Sequence, residues 1–182
     1  MNRYQYINKR IKEGGYKSYL EIGVDKGNNF TQIVCDKKIG VDPDCKYKNV
    51  IRKTSDDFFA SNNDKFDIIF IDGLHTAEQV EKDIVNSMQR LNKGGVIILH
   101  DINPPTYESQ LVPRHSIPWK GSVWRAMVGF IDKYKQGYTL AETDSGLGVI
   151  EYTDQKIKEG FISDIDYDVF DKNRKKLLNI ID

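Results

Sequence analysis

Short apolar segments alternate with amphipathic helical patterns along most of this chain. Apolar runs of this kind, bounded by glycine or polar turns, predict buried strands, and their alternation with helices predicts βαβ units around one sheet. The expected fold is therefore α/β, doubly wound and mainly parallel, with helices on both faces. Seven strands are predicted, at residues 18–24, 39–42, 50–53, 66–72, 96–100, 138–142 and 148–152.

Two helices are predicted by strong periodicity. The first begins near Thr76, which has the spacing of a capping box with Gln79, and its apolar residues from Val80 to Leu91 fall on one face. The second covers about residues 122–135 and has a similar apolar stripe. Most residues on these two stripes are expected to serve core packing alone.

The chain length predicts a single domain, because 182 residues leave little for a second core. Within residues 1–182, residues 1–14 are expected to form a helical lead-in and residues 153–182 a charged extension that ends in a helix. Four of the five prolines lie in residues 102–120. A long irregular segment of this kind is usually functional, so we predict that residues 102–120 form a lid that faces the substrate.

The charge balance gives no indication of a polyanionic partner. Lysine plus arginine equals aspartate plus glutamate, at 27 each, so neither nucleic acid nor a membrane surface is an expected partner. The amino-terminal segment is too polar for a signal peptide, and Cys35 and Cys45 lack the spacing of a metal site. We expect a cytoplasmic protein, and a homo-oligomer is left open.

Two predicted strands end in carboxylate and imidazole groups. Asp72 and His75 follow the fourth predicted strand, and His100 and Asp101 follow the fifth. Because ligands of open α/β sheets bind outside the carboxyl ends of the strands, we expect these four side chains to share one crevice.

The first predicted strand runs directly into a glycine turn. Glu21, Gly23, Asp25 and Gly27 would lie beside a nucleotide-like ligand there. The turn differs from the dinucleotide fingerprint, since Asp25 stands at the middle glycine position and would repel a pyrophosphate. Asp42 follows the second strand and could accept hydrogen bonds from ribose hydroxyls. This pattern predicts a ribose-bearing ligand with a positive head group rather than NAD.

Over about residues 15–152 these motifs resemble the class I S-adenosylmethionine (SAM) dependent methyltransferases, specifically the branch of small metal-assisted O-methyltransferases. The resemblance implies a Rossmann-like fold and SAM as the methyl donor. It also implies that LEIGVDKG lines the methionine part, that IGVD holds the ribose and that KTSDDFF lies beside the adenine. The predicted SAM-binding residues are Glu21, Gly23, Asp25, Gly27, Asp42, Ser55, Asp56 and Asp72.

In the catechol and caffeoyl-CoA type relatives, the fourth strand ends in a metal-binding aspartate with a catalytic base three residues later. The resemblance implies Asp72 and Asp101 as metal ligands and His75 as the base, as in macrolide-sugar O-methyltransferases. Ile102 departs from the pattern, since the catechol type has an asparagine ligand there. His100 replaces the acid of the macrolide-sugar type, so the predicted Mg or Mn ligands are Asp72, His100 and Asp101. A metal-free site, with His100 only hydrogen-bonded to Asp101, stays open.

The predicted function is SAM-dependent O-methylation of a hydroxyl on a small molecule or sugar, with His75 as general base. A non-catalytic SAM-binding module and an NAD-dependent Rossmann oxidoreductase remain as alternatives. The NPPT sequence at residues 103–106 resembles a motif of base-methylating enzymes. It follows the fifth strand rather than the fourth and ends in threonine, so nucleic acid methylation is not expected.

Overall fold

The computed structural model describes residues 1–144 and 146–181, which form one mixed sheet with helices on both faces. The strands lie in the order β2-β1-β3-β4-β6-β5. Neighbours from β2 to β4 pair in parallel, whereas β6 is antiparallel to both β4 and β5. In the described residues the strands are β1 (Ser18–Ile22), β2 (Lys37–Val41), β3 (Phe66–Ile71), β4 (Leu91–Leu99), β5 (Tyr138–Leu140) and β6 (Leu147–Glu151).

Apolar residues fill both faces of the sheet. One core cluster contains strand residues such as Leu20 and Ile97 together with residues of the four later helices. The other contains Tyr19 and Ile68 together with residues of the first helix. Among the described residues, no helix has the length and apolar character that a membrane crossing requires. The helices are α1 (Arg3–Gly14), α2 (Ser55–Ser61), α3 (Ala77–Arg90), α4 (Val123–Tyr134) and α5 (Tyr167–Leu177).

The prediction of seven strands is wrong for the described part of the chain, which has six. Residues 50–53 contribute only an isolated parallel bridge between Ile51 and Val41. Ile51 is 37% exposed, and charged residues with exposed side chains follow it. An edge segment with so little apolar area to bury gains too little to order a full strand. The sheet is nevertheless mainly parallel, as expected.

The segment that leads to α5 packs across α3 and α4. The buried Glu81 carboxylate of α3 accepts hydrogen bonds from the backbone N–H groups of Gly160 (2.9 Å) and Phe161 (2.6 Å). Arg125 of α4 donates through Nη1 to the Ser163 carbonyl at 3.1 Å. Gly129 of α4 lets this backbone approach closely, because a Cβ there would lie 1.5 Å from the Phe161 carbonyl oxygen.

A buried carboxylic acid lies at the centre of β1. Glu21 is 1% exposed, and its Oε2 accepts hydrogen bonds from the Tyr19 hydroxyl and from Asn29 Nδ2, the latter at 2.9 Å. Burial raises the pKa of Glu21 to about 7, although both hydrogen bonds favour its charged form. Part of the folded population therefore carries a neutral Glu21 near neutral pH.

Replacing Gly129 with alanine should destabilise the protein. In a helix this change usually stabilises by up to about 1 kcal/mol, but here the new methyl group would push the Phe161 backbone off α4. We expect a loss of about 2 kcal/mol in the free energy of unfolding, measured by urea denaturation. Asp132→Ala, at an exposed position of the same helix, is the control and should change it by less than about 0.5 kcal/mol. A Gly129→Ala protein as stable as wild type would contradict this packing.

Replacing Glu21 with glutamine should make stability less sensitive to pH. Because the folded-state pKa lies above the unfolded value of 4.5, the folded state binds more protons between pH 4.5 and about 7. Wild-type stability should therefore fall as pH rises through that window, by on the order of 2 kcal/mol at this site. Urea denaturation of both proteins at pH 5 and pH 8 measures the difference, with exposed Glu13→Gln as the control. Parallel pH profiles for wild type and Glu21→Gln would show that Glu21 does not titrate this way.

Candidate active site

A cavity of about 410 Å³ opens at the carboxyl ends of β1, β2 and β3. Five of the predicted SAM-binding residues line it, namely Gly23, Asp25, Asp42, Ser55 and Asp72. A larger open groove of about 790 Å³ lies between α4 and the segment before α5, and its lining includes none of the predicted site residues. The other residues that line the smaller cavity are Ile22, Val41, Pro43, Lys53, Thr54, Gly73, Leu74 and Gln79.

The glycine turn and Asp42 shape the floor of this cavity together. Gly23 has a φ of +87°, and a Cβ there would lie 2.1 Å from the carbonyl oxygen of Asp72. Asp42 Oδ2 accepts hydrogen bonds from the N–H groups of Val24 and Asp25, both at 2.9 Å. Its Oδ1 accepts a further hydrogen bond from the N–H of Asp44 at 2.8 Å and, since a carboxylate can accept about four hydrogen bonds, still has capacity for a ligand.

Three predicted SAM-binding residues do not line the cavity. The Glu21 side chain points into the core toward Tyr19, as described above. A Cβ at Gly27 would lie 2.8 Å from the Tyr47 ring, so Gly27 makes room for a side chain. Asp56 is exposed and accepts a hydrogen bond from Gln79 Nε2 at 3.0 Å. Of these three residues, Asp56 thus contacts a side chain, Gln79, that does line the cavity.

A buried histidine joins the ends of β3 and β4. His100 Nδ1 lies 3.2 Å from Asp72 Oδ1 and 3.1 Å from Asp101 Oδ1, and Nε2 lies 3.9 Å from Asp144 Oδ2. Burial alone would lower the pKa of His100, but the charge of Asp72 and the hydrogen bonds to the carboxylates raise it to about 11. The Nδ1 proton is therefore directed toward Asp72 and Asp101, whereas Nε2 faces the Arg3 guanidinium at 3.0 Å.

Two of the aspartates that face His100, Asp72 and Asp144, have lowered pKa values. Burial opposes ionisation of Asp72, but the charge of His100 and the hydrogen bonds from both histidines hold its pKa well below its usual range. The hydrogen bond with His100 lowers the pKa of Asp144 to about 2. Arg3 adds a further positive charge, with Nη1 3.8 Å from Asp72 Oδ2 and 3.0 Å from His100 Nε2.

His75 lies between the two strand ends, next to Leu74, which lines the cavity. Its Nε2 lies 3.3 Å from Asp72 Oδ1, and its Nδ1 lies 3.8 Å from Asp101 Oδ2. Nδ1 is buried and makes no hydrogen bond to any described residue. Trp119 stacks on the imidazole at a centroid distance of 5.1 Å. With the Nε2 proton directed to Asp72, the Nδ1 lone pair is free to accept a proton.

Lys120 is a buried cation that sequence reasoning missed. Its Nζ donates to Asp101 Oδ1 at 2.6 Å, and both side chains are less than a tenth exposed. Arg3 and Asp144 were missed as well, although they lie within the same cluster. These three residues lie outside any motif, and no local pattern in the sequence indicates that the fold brings them to the strand ends.

The NPPT segment has a structural explanation. Arg174 of α5 donates through Nη1 to Asn103 Oδ1 and to the Pro104 carbonyl, and the Tyr167 hydroxyl donates to the same carbonyl at 3.0 Å. The Asn103 amide oxygen is therefore engaged by the carboxyl-terminal helix. These contacts fix the beginning of the 102–120 lid.

The group with the geometry of a metal site differs from the predicted one. Ligand atoms of Asp72, His75 and Asp101 lie within 4.8 Å of one another, whereas the predicted set had His100 in place of His75. The predicted ligand set is already engaged by partners within the protein. Lys120 already occupies Asp101 Oδ1, and His100 donates from Nδ1 toward both aspartates, so its Nδ1 has no lone pair for a metal.

Comparisons with known proteins agree with this geometry. Residues 20–102 match the family model described as a methyltransferase domain. That range contains all the residues predicted for SAM binding, metal binding and catalysis. Among curated protein sequences, none matches this chain significantly.

Solved structures with a similar fold include several O-methyltransferases. An O-methyltransferase from Bacillus cereus in complex with SAH, the demethylated form of SAM, shares 15% identity and a TM-score of 0.60, over 82% of this chain and 80% of that one. An SAH-bound methyltransferase from Podospora anserina shares 14% identity and a TM-score of 0.64, over 85% of this chain and 80% of that one. An O-methyltransferase of tomaymycin synthesis from Streptomyces achromogenes, in complex with SAM, shares 12% identity and a TM-score of 0.59. The match covers 82% of this chain and 79% of that one. Residues 20–102 thus match a methyltransferase domain, and the described chain has the fold of these solved methyltransferases.

Proposed function

We propose that this protein transfers the methyl group of SAM to a hydroxyl oxygen of a small-molecule or sugar acceptor, with His75 as general base. The observation that carries the proposal is the position of His75 beside Asp72, which lines the cavity, with one ring nitrogen on Asp72 and the other without a hydrogen-bond partner among the described residues. The O-methyltransferases of similar fold, seen with SAH or SAM, support the same class of acceptor.

The cavity residues suit the parts of SAM. A volume of about 410 Å³ falls in the range of about 300–1,000 Å³ that is usual for small-molecule sites. Asp42 can accept hydrogen bonds from the ribose hydroxyls, and Ser55 borders the far end, where the adenine would lie. Asp25 offers a carboxylate to the ammonium of the methionine part. When bound, SAM supplies a methyl group that is already activated by the positive sulfur.

Proton removal is the task that this proposal gives to His75. Asp72 holds Nε2–H, so Nδ1 accepts the proton of the acceptor hydroxyl while the oxygen–methyl bond forms and the carbon–sulfur bond breaks. Asp72 and Asp101 then stabilise the protonated imidazole. Alignment of the acceptor oxygen with the methyl group can contribute several kcal/mol to the rate. Because Trp119 covers Nδ1, the acceptor must displace this side chain or enter beside it.

The surroundings of the site are consistent with a small acceptor. We propose that residues 1–182 act as one domain in which the 102–120 lid faces the acceptor. Tyr107 and Ile117, with exposed side chains, give this lid apolar surface on which a small molecule could rest. The balanced net charge supports neither a nucleic acid nor a membrane as partner. No step of the proposed mechanism is assigned to a metal ion.

Ligand-induced stabilisation tests the choice of SAM over NADH. A ligand at about 100 times its dissociation constant adds roughly 2.7 kcal/mol of stability, which a thermal melt detects. We expect SAM and SAH to raise the melting temperature and NADH to leave it unchanged. Asp42→Ala should weaken the shift, whereas Asp44→Ala, at a neighbouring exposed carboxylate, is the matched control. A shift with NADH and none with SAM would favour the oxidoreductase alternative.

Loss of the imidazole tests catalysis separately from SAM binding. His75→Ala should retain the SAH-induced shift, because His75 does not line the cavity, and should lower the methylation rate by on the order of 100-fold or more. Transfer of labelled methyl groups from SAM to a panel of sugars and phenols is the measurement. Glu78→Ala, three residues further on and exposed, should leave the rate unchanged. An unaltered rate in His75→Ala would remove His75 as the base, and SAM binding without transfer to any acceptor would favour the non-catalytic module.

A further inference from the structure

The carboxylates at the ends of β3 and β4 already have cationic partners from distant parts of the chain. Lys120 Nζ lies 2.6 Å from Asp101 Oδ1, and Arg3 Nη1 lies 3.8 Å from Asp72 Oδ2. His100 Nδ1 lies between both aspartates, at 3.1 and 3.2 Å. Neither carboxylate therefore offers the uncompensated negative charge that a divalent cation requires.

The backbone fixes Lys120 in this position. Its own N–H donates to the Ser109 carbonyl at 2.7 Å, and the N–H of Ser122 donates to the His75 carbonyl at 3.0 Å. Gly121, between them, has a φ of +64°, and a Cβ there would lie 2.1 Å from the same His75 carbonyl oxygen. Lys120 is thus held on both sides, unlike a lysine that reaches in from the surface on a flexible side chain.

We propose that the Lys120 ammonium takes the place of a divalent cation at Asp101 and that this site, as folded, excludes such a cation. The proposal deepens the proposed function, because it concerns the same site and names the group that supplies positive charge there. A divalent ion would have to displace the ammonium of a lysine that is only 7% exposed and leave it without its carboxylate. Breaking a buried pair in that way is strongly unfavourable.

The same ammonium can serve the acceptor directly. A lysine carries three N–H donors, and Asp101 is the hydrogen-bond partner of the Lys120 ammonium among the described residues. The other donors remain for an acceptor oxygen that lies between Lys120 and His75. There they would stabilise the negative charge that develops on that oxygen as His75 removes its proton. Lys120 would then be a second catalytic residue of the methyl transfer.

Titration of the protein with Mn²⁺, followed by the electron paramagnetic resonance of the free ion, tests the exclusion. Wild type should leave the Mn²⁺ signal unchanged, with or without SAH. Lys120→Met removes the charge at similar length and should bind Mn²⁺ at least about tenfold more tightly, because Asp101 loses its cation. Lys120→Arg keeps a cation and should behave like wild type. Lys93→Met, at an exposed position on β4, is the matched control.

Two results would overturn the proposal. One is wild-type binding of one Mn²⁺ per chain that Asp101→Asn abolishes, a result that does not depend on any Lys120 variant folding. The other is a Lys120→Met protein that melts cooperatively, still responds to SAH and gains no affinity for Mn²⁺. Failure of SAM and SAH to bind wild type would instead contradict the proposed function, while the Mn²⁺ titration would still decide whether Lys120 excludes the metal.

Discussion

The buried contact of His100 with Asp72 and Asp101 is the interaction on which the rest of the site depends. It joins the ends of two neighbouring parallel strands through one imidazole ring. Arg3 brings the beginning of α1 to the same place, and Asp144 brings the loop after β5. Removal of one partner would leave the others as unpaired charges. The ends of β3 and β4, the beginning of α1 and the loop after β5 must therefore take their positions together.

This cluster also lies where residues 102–120 leave the sheet and return to it. Asp101 has a φ of +59°, a left-handed conformation that turns the chain out of β4 directly after the histidine. Arg174 of α5 holds the beginning of residues 102–120. The end of this segment is held where Gly121 contacts the His75 backbone. Both ends are therefore fixed by named contacts, and the exposed residues lie between them.

Much of the fold could be predicted from the sequence because the signals are local. The strands that are buried on both faces are continuous apolar runs, and α3 and α4 show clear helical periodicity with buried stripes. The third predicted strand failed because a short apolar run at an exposed edge is not sufficient evidence of a strand. Asp72 and Asp101 could be found as residues at strand ends. Glu21 belongs to the right motif, yet its side chain faces the core, a direction that the motif does not reveal.

What the sequence could not provide is the cationic half of the site. Arg3 is 69 residues from Asp72 and Lys120 is 19 residues from Asp101, and neither pair belongs to a common motif. Without Arg3 and Lys120, the carboxylates suggest a metal site. With them, the carboxylates of the cluster already have positive partners. A bound metal ion would not be attached to residues 102–120, whereas Lys120 is one of these residues. The backbone contacts that hold Lys120 at Ser109 and Ser122 at His75 therefore also fix the positive charge beside Asp101, so this charge is built into the fold.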